Sequence, residues 1–225
     1  MSISYPWLYE YALRRKGSIQ ELEASLPVPL TEEQLTAIPD DRYLSLMTRR
    51  IFRAGLRHAM VDARWPAFEE AFWGFDPEKM VLLSAEHIER HMQNKALIRH
   101  LGKLRSIPRN AQLILDISRE HGGFGRFLAQ WPVDDIVGLW FLLRKRGYQL
   151  GGYSTPGFLR MAGKDTFLIT TDVVAALIAR GVIDRQPTSQ GTLRDMQKAF
   201  NQLHQSSGRP LCQLSAMLAW TVNHD

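Results

Sequence analysis

Only one cysteine, Cys212, occurs in 225 residues. A single thiol excludes an intrachain disulfide framework, a cysteine-held iron–sulfur cluster and a multi-thiolate zinc site. It fits a reducing compartment. Long apolar runs are missing too, and nothing approaches the roughly 20 residues that a bilayer-spanning helix needs. The N-terminal stretch MSISYPWLYEYALRRKG lacks the apolar core and cleavage site of a secretory signal. These absences set the expectation of a soluble, cytoplasmic protein without membrane contact. Strand signals are scarce, with FLIT (167–170) the best of them. Internal repeats, low-complexity tracts and flexible linkers are absent. The charge imbalance is small: 28 Lys and Arg against 23 Asp and Glu leave a formal +5. That excess suits a polyanionic partner without requiring one.

What the chain has is helix. Hydrophobic residues make up 45% of the sequence, enough for a sizeable core. Apolar positions recur at helical spacing through DRYLSLMTRRIFRAG, with Gly55 ending or bending that helix. Capping boxes are expected at Ser18 with Glu21 and at Thr31 with Gln34. Pro6 suits a first turn, and Asp76-Pro77 opens another helix. Pro66 divides His58–Trp65 from a second short helix ending at Gly74. Lys103–His121 reads as one long amphipathic helix with Pro108 near its start. Thr188–Ser207 and Leu211–Val222 close the chain. The expected architecture is all-α: one domain over residues 1–225, made of two helical lobes with a groove between them.

The chemistry concentrates in RKRGYQLGGYSTPGFLRMAGKDTFLITTDVVAAL, residues 144–177. A helix ends on Arg144, Lys145 and Arg146. A hairpin within 144–162 has Gly151 and Gly152 at its tip. Asp172 follows at the mouth of a helix spanning 170–180. Glycines let backbone N–H groups approach a phosphate, and a helix N-terminus adds a favourable dipole. The pair GG alone is equally a plain turn. Two other motifs carry less. HIERH places His87 and His91 at metal-ligand spacing but has no third ligand, and GGFG (122–125) lacks the preceding strand and lysine of a phosphate loop.

DRYLSLMTRRIFRAGL, FDPEKMVLL, IRHLGKLRSIPRNAQLIL and LRKRGYQLGGYSTPGFLRMAG resemble the helix-hairpin-helix DNA glycosylases. Within that superfamily they resemble DNA-3-methyladenine glycosylase I, over roughly residues 40–175. The resemblance implies a two-lobed helix-hairpin-helix glycosylase-like fold, with Gly152 as the hairpin glycine and Asp172 at the distance of the catalytic aspartate. It implies a base-excision-repair enzyme that hydrolyses the N-glycosidic bond of a damaged, alkylated purine such as 3-methyladenine. Its partner is DNA containing that base, and the chain is expected to act as a monomer without a cofactor.

The departures are specific. The glycosylase I zinc ligands are missing, since the N-terminal segment has neither Cys nor His and Asp172 stands where a histidine ligand would come; no metal is expected. The family's pocket glutamate falls on Arg50 and its pocket tryptophan on His58. Bifunctional members carry a lysine nucleophile two residues after the hairpin glycine, where this chain has Ser154. A serine forms no Schiff base, so the resemblance implies a monofunctional enzyme without lyase activity.

Cleaving a nucleobase–sugar bond builds oxocarbenium-like positive charge on the sugar. One ionised carboxylate stabilises that charge and orients water. Asp172 is the candidate, and the same residue reads equally as a helix N-cap. Trp7, Tyr9 and Tyr11 are candidates for an aromatic cradle around a cationic base, or else pack their own helix. Arg50 and His58 are candidates for the pocket, with a solvated role as the alternative for each. Gly151, Gly152, Tyr153, Ser154, Lys145, Arg99, Lys103 and Arg57 are candidate DNA contacts, and by resemblance the turn Arg53–Arg57 enters the stack. Two rival functions stay open: a non-catalytic DNA-structure-binding helix-hairpin-helix protein, and a helical scaffold for a protein partner.

Overall fold

Sequence periodicity turns into helix along nearly the whole chain. The computed structural model describes residues 3–222; positions 1–2 and 223–225 of the expected 1–225 domain lie outside the described residues. In chain order the helices are α1 (Tyr5–Lys16), α2 (Ile19–Ser25), α3 (Glu32–Ala37), α4 (Asp40–Arg53), α5 (His58–Ala71), α6 (Pro77–Met80), α7 (Ala85–His91) and α8 (Leu101–Leu104). They continue with α9 (Ser106–His121), α10 (Phe124–Gln130), α11 (Ile136–Arg146), α12 (Ser154–Met161), α13 (Thr171–Ala179), α14 (Gln190–Ser207) and α15 (Leu211–Ala219). No strand occurs among the described residues, and no helix there is long and apolar enough to cross a membrane.

Three local expectations are corrected. FLIT runs as irregular chain, because it has no partner strand and is fixed by its surroundings: Phe167 is fully buried, and the Leu168 N–H donates to Ser215 Oγ at 3.0 Å. Pro66 does not end a helix. Val61, Trp65 and Phe68 keep one buried face through it, and α5 continues to Ala71. The expected helix Lys103–His121 is two helices, α8 and α9, that meet at Arg105. The Thr31–Gln34 capping box is present in full, whereas Ser18 accepts from the Glu21 N–H without the reciprocal bond.

The chain forms two compact units. Unit 1 comprises Met1–Leu30, Pro132–Trp140 and Gly163–Asp225. Its core includes Trp140, Phe167 and Phe200; the ring centroids lie 4.7 Å (Trp140–Phe167) and 4.3 Å (Phe167–Phe200) apart. Helices α1, α13 and α14 pack on α15. The first turn of α15 follows Pro210, which offers no capping side chain. Asp165 supplies the missing acceptors from 46 and 47 residues away: its carboxylate takes the Leu211 N–H at 2.9 Å and the Cys212 N–H at 2.8 Å.

Unit 2 comprises Thr31–Trp131 and Phe141–Ala162. Its core is aromatic: Trp65, Phe68, Phe72 and Phe75 stack, with Trp65 and Phe68 centroids at 5.0 Å and Trp65 and Phe75 at 5.5 Å, and Phe52 meets Phe68 edge-on. Asp40 repeats the device seen at Asp165, accepting from the Phe124 N–H at 3.2 Å where α10 begins after Gly123. Asp165→Ala leaves two backbone donors without their acceptors and is expected to lower stability by about 1–2 kcal/mol. A lower urea midpoint with unchanged slope would register this, and Asp165→Asn should recover part of it.

Candidate nucleic-acid interface

In unit 2 the hairpin occupies residues 147–153, between α11 and α12. Its entry is clamped by a side-chain amide that imitates backbone pairing. Asn110, fully buried on α9, donates to the Tyr148 carbonyl at 3.0 Å and accepts from the Tyr148 N–H at 2.8 Å. Leu150 is a buried plug, and its carbonyl accepts from Thr155 Oγ1 at 2.7 Å. Gln149 and Gly152 both lie in the left-handed region, at φ +61° and +54°. That conformation is cheap for Gly152 and costs Gln149 about 1 kcal/mol, so the clamps hold the backbone where it would not rest by itself. The tip residues Gly151, Gly152 and Tyr153 are exposed. Ser154 N–H turns back to the Gly151 carbonyl at 3.0 Å. The N–H groups of Gly152 and Tyr153 have no backbone partner among the described residues.

A cleft of about 630 Å³ adjoins the tip. It is lined by Arg50, Arg53 and the turn Ala54–His58 on one side, and by Gly151, Tyr153 and Ser154 on the other. Arg50 crosses it: Nη2 donates to the Tyr153 carbonyl at 3.1 Å. The crossing depends on Gly157. A Cβ there would lie 2.1 Å from Arg50 Nε, so any other residue closes the notch. Burial, and then the neighbouring Arg53, lower the proton affinity of the half-buried Arg50. Arg53 makes a bidentate pair with Asp62, at 3.0 and 2.6 Å, and Arg49 adds a third bond at 2.9 Å.

Lys103, expected at a phosphate, is placed elsewhere. It is buried, and its ammonium donates to the Phe52 and Ala54 carbonyls at 3.2 and 2.6 Å. The last turn of a helix leaves carbonyls without intrahelical partners, and Lys103 satisfies those at the end of α4. Burial first, and Arg50 second, lower its pKa. Arg57 and His58 are exposed at the cleft, and Gly55 turns the chain there at φ +74°. Arg99 and Lys145 are exposed outside its lining. Arg146 is taken up by Glu120, at 2.8 and 2.7 Å. Composition gave no signal for Asn110 or Asp62. Gly157 had one: a glycine in the first turns of a helix marks a close approach.

The other candidates belong to unit 1. Asp172 is half-buried, at the second position of α13. It is not the cap. Thr170 holds that place, its hydroxyl accepting from the Val173 N–H at 3.2 Å. Trp7 and Tyr11 lie in tilted contact, centroids 5.9 Å apart, along one stripe of α1, and Tyr5 and Tyr9 likewise at 5.8 Å along another. A cation already covers Trp7: the Arg180 guanidinium sits 3.5 Å from the ring centroid. Arg209 donates to the Tyr5 hydroxyl at 2.7 Å and lies 5.7 Å from the Tyr9 ring. His87 completes a capping box with Ser84, and the His91 ring lies 4.5 Å from that of Phe72. Among the described residues no three His, Cys, Asp or Glu side chains gather as a metal would need.

Two helices joined by a glycine hairpin, within an all-α chain, make a fold that solved DNA glycosylases share. The solved structures agree. The fold matches 3-methyladenine DNA glycosylase I with a TM-score of 0.50 at 24% identity, covering 61% of this chain and 82% of that one. It matches the Methanocaldococcus jannaschii 8-oxoguanine glycosylase/lyase with a TM-score of 0.53 at 13% identity, covering 96% of each chain. Residues 36–137 match the family model for methyladenine glycosylase. The chain is similar to the Haemophilus influenzae DNA-3-methyladenine glycosylase, 37% identical over 76 residues. It is also similar to the Escherichia coli DNA-3-methyladenine glycosylase 1, 32% identical over 76 residues. Each match covers 34% of this chain and 41% of the relative, so the chain spans about two fifths of the curated relatives it matches.

The three-way pairing at the turn generates a pH dependence. Bonding to Arg53, against the opposing effect of burial and with Arg49 adding to it, pulls the Asp62 carboxyl from 3.8 to about 2. A depressed folded-state pKa stabilises above the unfolded value and is lost as pH falls through the folded one. Asp62→Asn is therefore expected to cost on the order of 1 kcal/mol at pH 6, after allowance for solvent screening, and almost nothing at pH 2. Urea titrations of both proteins at the two pH values check this.

Proposed function

We propose that this chain is a monofunctional DNA glycosylase. It hydrolyses the N-glycosidic bond of a damaged, alkylated purine in base excision repair. Asp172 carries the reaction, and the observation that supports this most is the Thr170 cap. Thr170 fills the N-cap position, so Asp172 is not the cap of α13. An aspartate in a first turn faces the positive end of the helix dipole. As the base leaves, the carboxylate stabilises positive charge on the sugar and orients the attacking water. Ser154 has no amine, so the reaction stops at the abasic site.

The hairpin grips the backbone. Its exposed tip offers the Gly152 and Tyr153 N–H groups to a phosphate, and Arg57 adds charge beside it. Base eversion costs a few kcal/mol and is easiest at a damaged or mismatched pair. The turn Ala54–His58 is the element that would fill the space the base leaves.

One observation favours a second reading. Arg50 makes the cleft strongly cationic, as a module that binds DNA structure without chemistry would need. A lesion panel separates the two. Wild-type protein is expected to release a base from at least one alkylated or deaminated purine duplex, and Asp172→Asn to slow that release by about 10²–10⁴-fold. Salt-dependent DNA binding without release from any lesion would establish the second reading.

A further inference from the structure

The lining of the unit 2 cleft includes three guanidinium groups, Arg50, Arg53 and Arg57, and no carboxylate. The nearest acid in the network, Asp62, is shared between Arg49 and Arg53 and is not part of the lining. Arg50 is a built feature. The bare Cα of Gly157 gives its guanidinium room, and the Tyr153 carbonyl fixes it through one N–H. A guanidinium has five N–H donors in a rigid fork. Half-buried, with a single bond to the protein, it holds donors ready for an acceptor.

A purine alkylated at N7 or N3 is positively charged while still joined to its sugar. Like charge in a half-desolvated cleft repels it. A neutral purine with acceptors at position 6 and N7 presents the edge that an arginine fork takes in a bidentate manner. We infer that Arg50 makes this cleft selective for a neutral damaged purine bearing acceptors at position 6 and N7, and against a cationic one. Hypoxanthine, O6-alkylguanine and 1,N6-ethenoadenine have that chemistry; 7-methylguanine and 3-methyladenine do not. The inference rests on the proposed function only in that a base enters the cleft, and it assigns Arg50 a role in specificity rather than in bond cleavage.

The test is binding by the Asp172→Asn protein, in which chemistry does not interfere. Dissociation constants are measured for otherwise identical duplexes carrying hypoxanthine, 1,N6-ethenoadenine, 7-methylguanine or no lesion. The neutral lesions are expected to bind at least tenfold tighter than 7-methylguanine. Adding Arg50→Glu should erase or reverse that ratio. Gly157→Ala should also erase it, because the new methyl displaces the fork while Arg50 itself remains. Thermal melts establish that each variant is folded, and if Arg50→Glu is not, Arg50→Gln and Gly157→Ala carry the comparison. Equal or tighter binding of 7-methylguanine overturns the inference, as does a ratio unchanged by both substitutions. Base release by the wild type is scored separately: a binding preference without release leaves the inference standing and removes the enzyme reading.

Discussion

Cations turned onto main-chain carbonyls hold the candidate interface in shape. Lys103 binds the end of α4 from beneath, and Arg50 ties the far side of the cleft to the hairpin tip at Tyr153. Both carbonyls and cations would otherwise be solvated, so each bond sets a desolvation cost against a charge-assisted interaction. The gain is rigidity. The turn Ala54–His58 and the tip Gly151–Tyr153 stay exposed because they are fixed at their bases, the preorganisation a binding site needs. Asn110 completes the arrangement by standing in for a backbone partner at Tyr148.

Unit 1 solves its own problems with carboxylates and hydroxyls aimed at backbone N–H groups. Asp165 starts α15 and Thr170 starts α13. Thr170 caps that helix, and Asp172 lies in its first turn without being the cap. The Trp7–Arg180 contact belongs to the same unit. The Trp7 ring already carries a guanidinium 3.5 Å from its centroid, so this face of the aromatic stripe is taken up within the unit.

Most of the helices were legible from periodicity, caps and proline placement, because those signals act locally. The errors fell where burial overrode a local rule. Pro66 reads as a break, yet the buried face through Val61, Trp65 and Phe68 carries α5 past it. FLIT reads as strand, yet a strand needs a partner that the chain does not provide. For the site, the hairpin and the turn after α4 were legible as motifs. Asn110 and Asp62, which support them from 38 and 9 residues away, were not, and the glycine signal at Gly157 did not say that its partner was Arg50, 107 residues earlier. Lys103 was misplaced for the same reason. A lysine in a basic stretch reads as a phosphate contact until the orphan carbonyls beside it are known.

The central claim is that Asp172 stabilises positive charge developing on the sugar. A duplex containing a cationic pyrrolidine abasic-site analogue mimics that charge, and a tetrahydrofuran site is its neutral counterpart. Wild-type protein should bind the pyrrolidine duplex about 100-fold tighter than the tetrahydrofuran duplex, and Asp172→Asn should bind the two alike. Equal affinities in the wild type, or a preference that survives Asp172→Asn, would contradict the account.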